Sequence, residues 1–284
     1  MQAAVIIATY NWPRALELAL LGFATQTDRR FRVVVADDGS GPETRDVIER
    51  IGSETGLAIA HVWHPDQGFR KSEILNRAIL ACPEPYLVFT DGDLIPRDDF
   101  VAAHLRLARP GHYLAGMTVR LPEAVSAAVT PEVVRAGRAT DLAWLRQQGF
   151  RPGRHRMRFS RRAWFNGLMD RITPTPPRWR GGNASAWRSD VLAVDGFDMQ
   201  MGYGGQDAEF GDRLDNLGIR PVRVRFRAPT VHLWHERPWR DEAGFRLNTA
   251  HRHQVRATGA TRARTGISSL VEADQPPRSS PTTA

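Results

Sequence analysis

The sequence predicts an α/β fold in which a mostly parallel sheet carries helices on both faces. Three observations support this prediction. Short apolar runs alternate with helical segments through residues 5–108, as in folds built from parallel strands and crossover helices. Hydrophobic residues make up 42% of the 284 residues, which is enough for the core of one large domain. Polar clusters follow the apolar runs, at the strand ends where ligands bind in such sheets.

The first half of the chain contains four strand signals and four helix signals. The strand segments are short and apolar, which is typical of strands buried on both faces, and the helices show apolar residues at helical spacing. In chain order the predicted strands are Val5–Ile7, Phe31–Ala36, Leu57–Trp63 and Tyr86–Thr90. The predicted helices are Ala15–Phe23, which follows Pro13, and then Glu43–Ile51, Ser72–Leu80 and Phe100–Ala108.

The second half is less regular. Helical spacing recurs three times, and three further segments are typical of strands. The predicted helices are Pro131–Gly137, Leu142–Gln148 and Asp207–Leu217. The predicted strands are 183–187, Arg220–Arg227 and Thr230–Trp234.

These patterns divide the chain into one domain over residues 1–250 and a tail over 251–284. Within the domain, residues 1–117 carry the alternating pattern, 118–180 form an arginine-rich insertion or lid, and 181–250 form the second half. The tail is basic and has few large apolar residues, so we expect it to be flexible.

The charge distribution favours a local anionic partner over a nucleic acid. The formal net charge is +8, and all of the 39 basic residues except Lys71 are arginines, which we attribute mainly to coding bias. Residues 151–180 hold nine arginines and one acid, and residues 251–284 hold five arginines and two acids. These two segments account for more than the whole excess, so the rest of the chain is mildly acidic.

Cysteine content and hydropathy predict a cytoplasmic protein. Cys82 is the only cysteine, which excludes an internal disulfide and a thiolate metal site. No apolar run approaches the ~18 residues that span a bilayer. The apolar run after Met1 lacks the basic segment and the length of a secretory signal.

Two pairs of aspartates follow predicted strands. Asp91 and Asp93 flank a glycine, and their carboxylate oxygens are ligands that Mg²⁺ and Mn²⁺ prefer, with a diphosphate supplying the remaining ligands. Asp37 and Asp38 lie where they can accept hydrogen bonds from a ribose or a base. Aspartate followed by glycine is also common in turns, so a purely structural turn is the alternative for both pairs.

A glycine-rich segment precedes the helix that we predict to begin at Asp207. Glycines such as Gly204 and Gly205 allow close approach of a ligand to the backbone. Asp207 at the helix start is a candidate general base. The alternative is an ordinary capped helix, because aspartate is a good N-cap and acidic residues suit a first turn.

Two histidines, His232 and His235, lie in or next to the last predicted strand. On a strand, a spacing of three residues places the two imidazoles on opposite faces, so we expect that they do not bind one ion together. A hydrogen-bonded core histidine is the alternative for each. The spacing also differs from the zinc-protease pattern of two histidines four residues apart on a helix.

Taken together, these motifs resemble those of family-2-type glycosyltransferases with the GT-A fold, over about residues 3–240. The order and spacing of so many motifs make the resemblance far more specific than any one of them. The second half resembles the C-terminal module of β-1,4-galactosyltransferases, polypeptide N-acetylgalactosaminyltransferases and chondroitin-synthase-type enzymes. The matching segments are Ala8-Thr9-Tyr10-Asn11, Asp37-Asp38-Gly39-Ser40, Gln67-Gly68-Phe69-Arg70, Asn76-Arg77-Ala78-Ile79, Phe89-Thr90-Asp91-Gly92-Asp93, Gly181-Gly182-Asn183, Asp195-Gly196-Phe197-Asp198, Gly204-Gly205-Gln206-Asp207-Ala208-Glu209-Phe210 and His232.

The resemblance implies a single Rossmann-like sheet and an inverting, metal-dependent transfer of a sugar from a nucleotide-sugar, most often a UDP-sugar, to an acceptor hydroxyl. Asp207 matches the catalytic base. Implied ligands of Mn²⁺ or Mg²⁺ are Asp93 and His232, with Asp91 and His235 as further candidates. The implied donor-binding residues are Thr9, Tyr10, Asp37, Asp38, Arg70, Asn76, Asp91 and Gly92. The implied acceptor-binding residues are Gly204, Gly205, Gln206 and Glu209, although Gln206 stands where the family usually has glutamate.

The acceptor class and several rival functions stay open. The acceptor is a glycan, a lipid-linked acceptor or a small molecule. We expect residues 151–180 to form a lid that faces an anionic acceptor, with contact to membrane headgroups or a merely solvated insertion as the alternatives. A degenerate transferase that binds UDP-sugar without turnover is one alternative, and a basic nucleic-acid-binding protein is another. A sugar nucleotidylyltransferase would need a glycine-rich, basic loop where Ala8-Thr9-Tyr10-Asn11 stands.

Overall fold

The computed structural model describes residues 1–236 and 242–273, in which a large and a small sheet are surrounded by helices. In chain order the strands are β1 (Ala3–Thr9), β2 (Phe31–Asp37), β3 (Ile59–Trp63), β4 (Tyr86–Asp91), β5 (Leu94–Pro96), β6 (His112–Ala115), β7 (Thr118–Arg120), β8 (Ala184–Trp187), β9 (Arg220–Arg223) and β10 (Thr230–His232).

The helices fill the segments between the strands and follow the last strand. They are α1 (Pro13–Ala24), α2 (Pro42–Thr55), α3 (Lys71–Leu80), α4 (Phe100–Leu107), α5 (Glu123–Ala127), α6 (Pro131–Arg135), α7 (Leu142–Gln147), α8 (Ala163–Ile172), α9 (Arg188–Ala193), α10 (Gln206–Asn216), α11 (Glu242–Thr258) and α12 (Ile267–Ala273). Two 3₁₀ helices occupy Arg138–Thr140 and Gly153–Phe159.

The large sheet has the strand order β3-β2-β1-β4-β8-β6-β9, and β8 is its only strand that runs against the others in the described residues. A small sheet with the order β5-β10-β7 lies beside it. The predicted α/β fold with a mostly parallel sheet is therefore confirmed. The small sheet matters for the site because β10 ends at His232 and pairs with β5, which follows Asp93.

The core lies on both faces of the large sheet. Alternate side chains of a strand point to opposite faces, so Val5 and Ile7 pack in one hydrophobic cluster and Ala4 and Ile6 in the other. The first cluster includes buried residues of α1, α2 and α4, and the second includes residues of α3, α9 and α10. Burial on both faces explains why β1 is apolar throughout instead of alternating.

Local signals set several helix ends. Pro13 and Pro42 stand at the first positions of α1 and α2, where the missing N–H costs no intrahelical hydrogen bond. The Asp141 carboxylate accepts a hydrogen bond from the backbone N–H of Trp144 and caps α7. Within the described residues, no helix is long and apolar enough to cross a bilayer.

Two segments differ from the sequence expectations. The start of the predicted lid is part of the core, because Val125, Val134 and Leu145 are buried in the same cluster as α1. Residues 251–273 do not form the expected flexible tail: they complete α11 and form α12, and Val255 and Ile267 are buried. The last residues of that predicted tail, 274–284, lie outside the described residues.

Candidate active site

The carboxyl ends of β1, β2 and β4 meet at one edge of the large sheet. Thr9 at the end of β1 lies opposite Asp37, and its neighbour Ala8 lies opposite Asp91. Parallel pairing therefore brings together the polar clusters that the sequence separates by about 25 to 55 residues.

The aspartates after β2 are buried and engaged by the protein. The Asp37 carboxylate accepts hydrogen bonds from His61 Nε2, at 2.9 Å, and from the backbone N–H of Ser40, at 2.9 Å. Asp38 accepts one from His64 Nε2, at 2.8 Å, and one from the backbone N–H of Arg70, at 3.0 Å. Burial raises the pKa of Asp38, whereas the hydrogen bonds from His61 and Ser40 outweigh burial and lower the pKa of Asp37.

A carboxylate and two imidazoles converge beside the end of β4. The Nε2 atoms of His232 and His235 each lie 3.3 Å from Oδ2 of Asp93, and the two rings stack with their centroids 5.3 Å apart. The prediction that the histidines lie on opposite faces is wrong. Strand β10 ends at His232, so the strand rule does not extend to His235, and the chain beyond the strand returns to the same side.

The hydrogen bonds around this cluster suit a divalent cation. Nδ1 of His232 and Nδ1 of His235 each lie 2.6 Å from a backbone carbonyl, of Leu233 and Glu236 respectively. With Nδ1 donating to these carbonyls, each Nε2 would be the ligand atom offered to a cation, beside the Asp93 carboxylate. Oδ1 of Asp93 is buried and has no hydrogen-bond partner among the described residues. Burial alone would raise the pKa of Asp93, but the two histidines and Lys71 outweigh it and lower the pKa.

Lys71 is a site residue that our sequence analysis missed. It begins α3, and its Nζ lies 2.6 Å from Oδ1 of Asp91. Burial disfavours the ammonium, but the charges of Asp91, Asp207 and Asp93 outweigh burial and raise the pKa of Lys71. One ammonium therefore connects three of the predicted site carboxylates. The sequence does contain a signal that could have identified this residue: Lys71 is the only lysine, whereas the other 38 basic residues are arginines.

Asp207 and Asp91 pack against two successive glycines. A Cβ on Gly181 would lie 2.3 Å from Oδ1 of Asp207, and a Cβ on Gly182 would lie 2.9 Å from Oδ2 of Asp91, so both positions require glycine. The Asp207 carboxylate is in the first turn of α10, and its Oδ1 is buried with no hydrogen-bond partner among the described residues. Burial raises the pKa of Asp207, and Asp91 adds to this effect, while Lys71, the backbone N–H of Gly181 and Arg180 oppose it.

The loop before α10 is held in place by α11. The Nδ2 atom of Asn248 donates hydrogen bonds to the carbonyls of Gly202, at 3.1 Å, and Gly204, at 2.7 Å. Gly205 has a φ of +92°, which an L side chain rarely adopts. Gln206 is buried beside this loop, and its Oε1 has no hydrogen-bond partner. Asn248 is a second residue that sequence reasoning missed, because nothing local in the sequence links it to a loop some 45 residues away.

A family comparison decides what kind of protein carries this site. The model of the family described as "Glycosyl transferase family 2" matches residues 4–165, which is more than half of the chain. The chain belongs to glycosyltransferase family 2. The match covers the clusters at β1, β2 and β4 but ends before Asp207 and His232.

Characterised and uncharacterised relatives carry glycosyltransferase names. The chain is 30% identical over 257 residues to a validoxylamine A glucosyltransferase of Streptomyces hygroscopicus subsp. jinggangensis, covering 82% of this chain and 56% of the relative. It is 28% identical over 104 residues to a chondroitin synthase of Escherichia coli, covering 36% of this chain and 15% of the relative. This family 2 member thus spans about half the length of the validoxylamine A glucosyltransferases that it matches.

Solved structures confirm the GT-A fold. A mannosyltransferase from Pyrobaculum calidifontis, in complex with GDP-Man and Mn²⁺, has a TM-score of 0.55 at 17% identity and covers 97% of this chain and 76% of its own. GalNAc-T7 with UDP, GalNAc and Mn²⁺ has a TM-score of 0.61 at 13% identity and covers 90% of this chain and 48% of its own. At these identities the similarity shows the fold alone.

Two of the implied site residues of this family 2 member are structural instead. Asn76 is fully buried, and its side-chain amide both donates to and accepts from the backbone of Phe197, so it holds a turn and does not face a diphosphate. Glu209 is fully buried, and both of its carboxylate oxygens accept hydrogen bonds from the Arg213 guanidinium, at 2.6 and 2.9 Å, so it forms an internal ion pair and is not exposed to an acceptor.

The remaining implied residues lie near the edge of the sheet or in the glycine loop. The Tyr10 ring is 43% exposed, and its hydroxyl donates to Asp66. The Arg70 guanidinium pairs with Gln67 and Glu73, so its backbone N–H, which binds Asp38, is its contribution to the site. Gly92 packs against the Thr9 side chain, where a Cβ would lie 3.0 Å from Oγ1 of Thr9.

Proposed function

We propose that this chain is an inverting, metal-dependent glycosyltransferase that transfers a sugar from a UDP-sugar to an acceptor hydroxyl. The observation that carries the proposal is that two successive glycines pack against two site carboxylates, Gly181 against Asp207 and Gly182 against Asp91, while Lys71 binds Asp91 at 2.6 Å. The cation cluster and the candidate base therefore belong to one site. The shared GT-A fold with a GDP-Man and Mn²⁺ complex and with a UDP and Mn²⁺ complex supports a nucleotide-sugar donor.

The cluster of Asp93, His232 and His235 supplies the donor set for Mn²⁺ or Mg²⁺. Their ligand atoms lie within 4.8 Å of one another, and the diphosphate oxygens of the donor complete the set. A divalent cation bound there neutralises negative charge on the nucleoside diphosphate as it leaves. Asp91 is held by Lys71, and in this proposal its carboxylate would contact the ribose of the donor.

In this proposal Asp207 is the general base. Its Oδ1 has no hydrogen-bond partner in the part of the chain that the structure describes, so it can accept the proton of the acceptor hydroxyl as that hydroxyl attacks the anomeric carbon. Burial raises its pKa, which makes it a better proton acceptor than an exposed aspartate. Attack from the face opposite the diphosphate breaks the sugar–phosphate bond in one step and inverts the anomeric configuration.

In this proposal the donor and the acceptor bind to residues from different halves of the chain. Thr9, Tyr10 and Gly92, with the supporting pairs at Asp37 and Asp38, form the nucleoside side. The glycine loop of Gly204 and Gly205, with Gln206, forms the acceptor side in residues 181–250. The acceptor is a glycan, a lipid-linked sugar or a small molecule.

The direct test is nucleoside-diphosphate release from a panel of UDP-sugars and GDP-sugars, with Mn²⁺ and with EDTA. We expect release from a UDP-sugar that requires Mn²⁺. We also expect Asp207→Asn to keep UDP binding and to lower turnover by ~10²–10⁴-fold, the usual contribution of a general base. Asp215→Asn, on the same helix, is the matched control. Full activity of Asp207→Asn would show that another group is the base, and full activity in EDTA would contradict the metal role.

A further inference from the structure

Four arginines gather next to the proposed acceptor side. Two of them belong to the 3₁₀ helix Gly153–Phe159, one immediately precedes the glycine pair at Gly181, and one follows β9. None of the four forms an ion pair with a carboxylate in residues 1–236 and 242–273. The four residues, called the arginine cluster below, are Arg154, Arg158, Arg180 and Arg225.

The members of this cluster are not neutralised by the nearest acid. Asp170 is the single acid of residues 151–180, and its carboxylate already accepts hydrogen bonds from Arg227 Nε, at 2.7 Å, and from the backbone N–H of Phe226, at 3.1 Å. Nε of Arg225 is buried and has no hydrogen-bond partner among the described residues. The charge of Asp170 acts on Arg225 without an ion pair between them, so the four guanidinium groups are only partly compensated.

Arg158 shows what this arrangement costs. The residue is only 6% exposed, and its guanidinium donates one hydrogen bond to a neutral acceptor, the carbonyl of Thr118, at 3.2 Å. Burial and the charges of Arg225, Arg154 and Arg180 lower the pKa of Arg158 to about 10. Burying one guanidinium among three others is unfavourable unless an anion is bound, since such groups are normally paired when they leave water.

The position of Arg180 connects this cluster with Asp207. The carbonyl of Arg180 accepts a hydrogen bond from the backbone N–H of Asn183, which closes the turn that contains Gly181. Gly181 in turn packs against the Asp207 carboxylate. The charge of Arg180 also acts on the Asp207 carboxylate, so this member of the arginine cluster lies near the proposed base.

We propose that the arginine cluster binds an anionic group of the acceptor, of the phosphate monoester or diester class. Guanidinium groups bind phosphate oxygens through paired, charge-assisted hydrogen bonds, and four of them match the charge of such a group. The inference rests on the proposed function, because it assigns the acceptor of that reaction. The phosphate belongs either to a soluble phosphorylated acceptor or to a lipid headgroup.

The first experiment is calorimetric titration of inorganic phosphate into the full chain with UDP and Mn²⁺ at saturation, so that the donor's diphosphate site is filled. We expect millimolar or tighter binding that Arg225→Gln weakens about tenfold, the usual effect of losing one charge-assisted hydrogen-bonding group. Arg156→Gln is the matched control, because it removes the same charge from the same segment as Arg154 and Arg158 but outside the cluster. Absence of phosphate binding, or equal weakening by both substitutions, would overturn the proposal.

The second experiment identifies the source of the phosphate. Transfer from the active donor is measured to glycerol 3-phosphate and to glycerol, and then to vesicles of phosphatidylglycerol and of phosphatidylcholine. The proposal is supported if the wild type prefers glycerol 3-phosphate or the anionic vesicles, and if this preference is lost in Arg225→Gln and kept in Arg156→Gln. The substrate that is preferred identifies the source of the phosphate. No preference in either pair would contradict it.

UDP binding in the presence of Mn²⁺, measured with the same variants, separates the two levels of inference. If wild type and Arg225→Gln bind UDP equally well but show no phosphate effect, only the arginine cluster proposal fails. If the wild type does not bind UDP, the proposed function fails.

Discussion

Lys71 is the residue on which the electrostatics of the site depend. An ammonium is a compact charge with three donors, so it can lie 2.6 Å from Asp91 and still act on Asp93 and Asp207. Three carboxylates without it would repel one another. This explains why a chain that otherwise uses arginine retains a lysine at the start of α3.

We predict that Lys71→Met shifts the acid limb of the pH profile of kcat/KM to higher pH. The Lys71 charge lowers the pKa of Asp207, so its removal raises that pKa, and the ionised base is then lost at a higher pH. Lys71→Arg keeps the charge and should keep the limb near its wild-type position. If Lys71→Met and wild type share the same limb, the ammonium does not act on the base.

His104 makes a second prediction at this scale, about stability. Burial lowers the pKa of His104 to about 4, and the neutral ring lies between Ser185 and Asn183, the residue after the glycine pair. Below pH ~6.5 the His104 side chain is protonated in the unfolded chain but still neutral in the folded chain. The contribution of His104 to the free energy of unfolding is therefore fully present above pH ~6.5 and is lost as the pH falls toward 4.

The expected loss through His104 is about 2 kcal/mol between pH 7 and pH 5. Urea unfolding of wild type and His104→Asn at the two pH values measures it, since the variant should lack this share of the pH dependence. NMR titration of the His104 ring in the wild type gives the pKa directly. A ring that titrates near 6.5 in the folded protein would contradict the prediction.

At the scale of elements, short strands are where sequence patterns mislead. The apolar and polar alternation after Thr230 predicts a strand to Trp234, yet β10 ends at His232 because its pairing with β5 and β7 ends there. The backbone N–H of Leu233 then bonds to the carbonyl of Asp93, which carries His235 back to the same carboxylate. No local signal predicts that contact, since the partner is about 140 residues away.

Helix α8, in the arginine-rich segment, is the element that we predict to contact a membrane. Trp164, Leu168 and Ile172 stand four residues apart and are 68%, 46% and 59% exposed, so they form one apolar stripe. Arg161 and Arg162 precede the stripe. An apolar stripe with basic neighbours is typical of a helix that lies on an anionic bilayer.

We therefore predict that the full chain co-sediments with phosphatidylglycerol vesicles and that Trp164→Ser releases it. Leu247→Ser removes another exposed apolar side chain, on α11, and should leave co-sedimentation unchanged. Wild-type protein that stays in the supernatant with anionic vesicles would remove membrane contact from the proposal.

For the whole molecule, the parallel half was predictable and the rest was not, for a physical reason. Strands β1 to β4 alternate with helices, and β1, β2 and β4 are largely apolar because both of their faces are buried, so local sequence suffices. Strands β6 and β8 and the small sheet depend on pairing between segments distant in sequence. The sequence of helices α11 and α12 is typical of a polar tail, because only a few of their residues, such as Val255 and Ile267, are buried.

The site joins distant parts of this fold, so ligand binding should stabilise the whole domain. Asp93 follows β4 and His232 ends β10, and neither can bind a cation with the other once the chain unfolds. A ligand that binds only the folded state adds about 2.7 kcal/mol at a concentration of 100 Kd. For a domain of this size that corresponds to a rise in Tm of about 5 °C.

We predict such a rise for UDP with Mn²⁺ and a much smaller one for UDP in EDTA, measured by thermal unfolding of the full chain. Substitution of His232 or His235 by alanine should remove the Mn²⁺-dependent part, in proportion to what each imidazole contributes as a ligand. His253→Ala, an exposed histidine on α11, is the control and should keep the full rise. Because both Nε2 atoms lie equally far from Asp93, comparable losses in the two histidine variants are expected. A Tm rise that neither variant reduces would mean that the cation binds elsewhere.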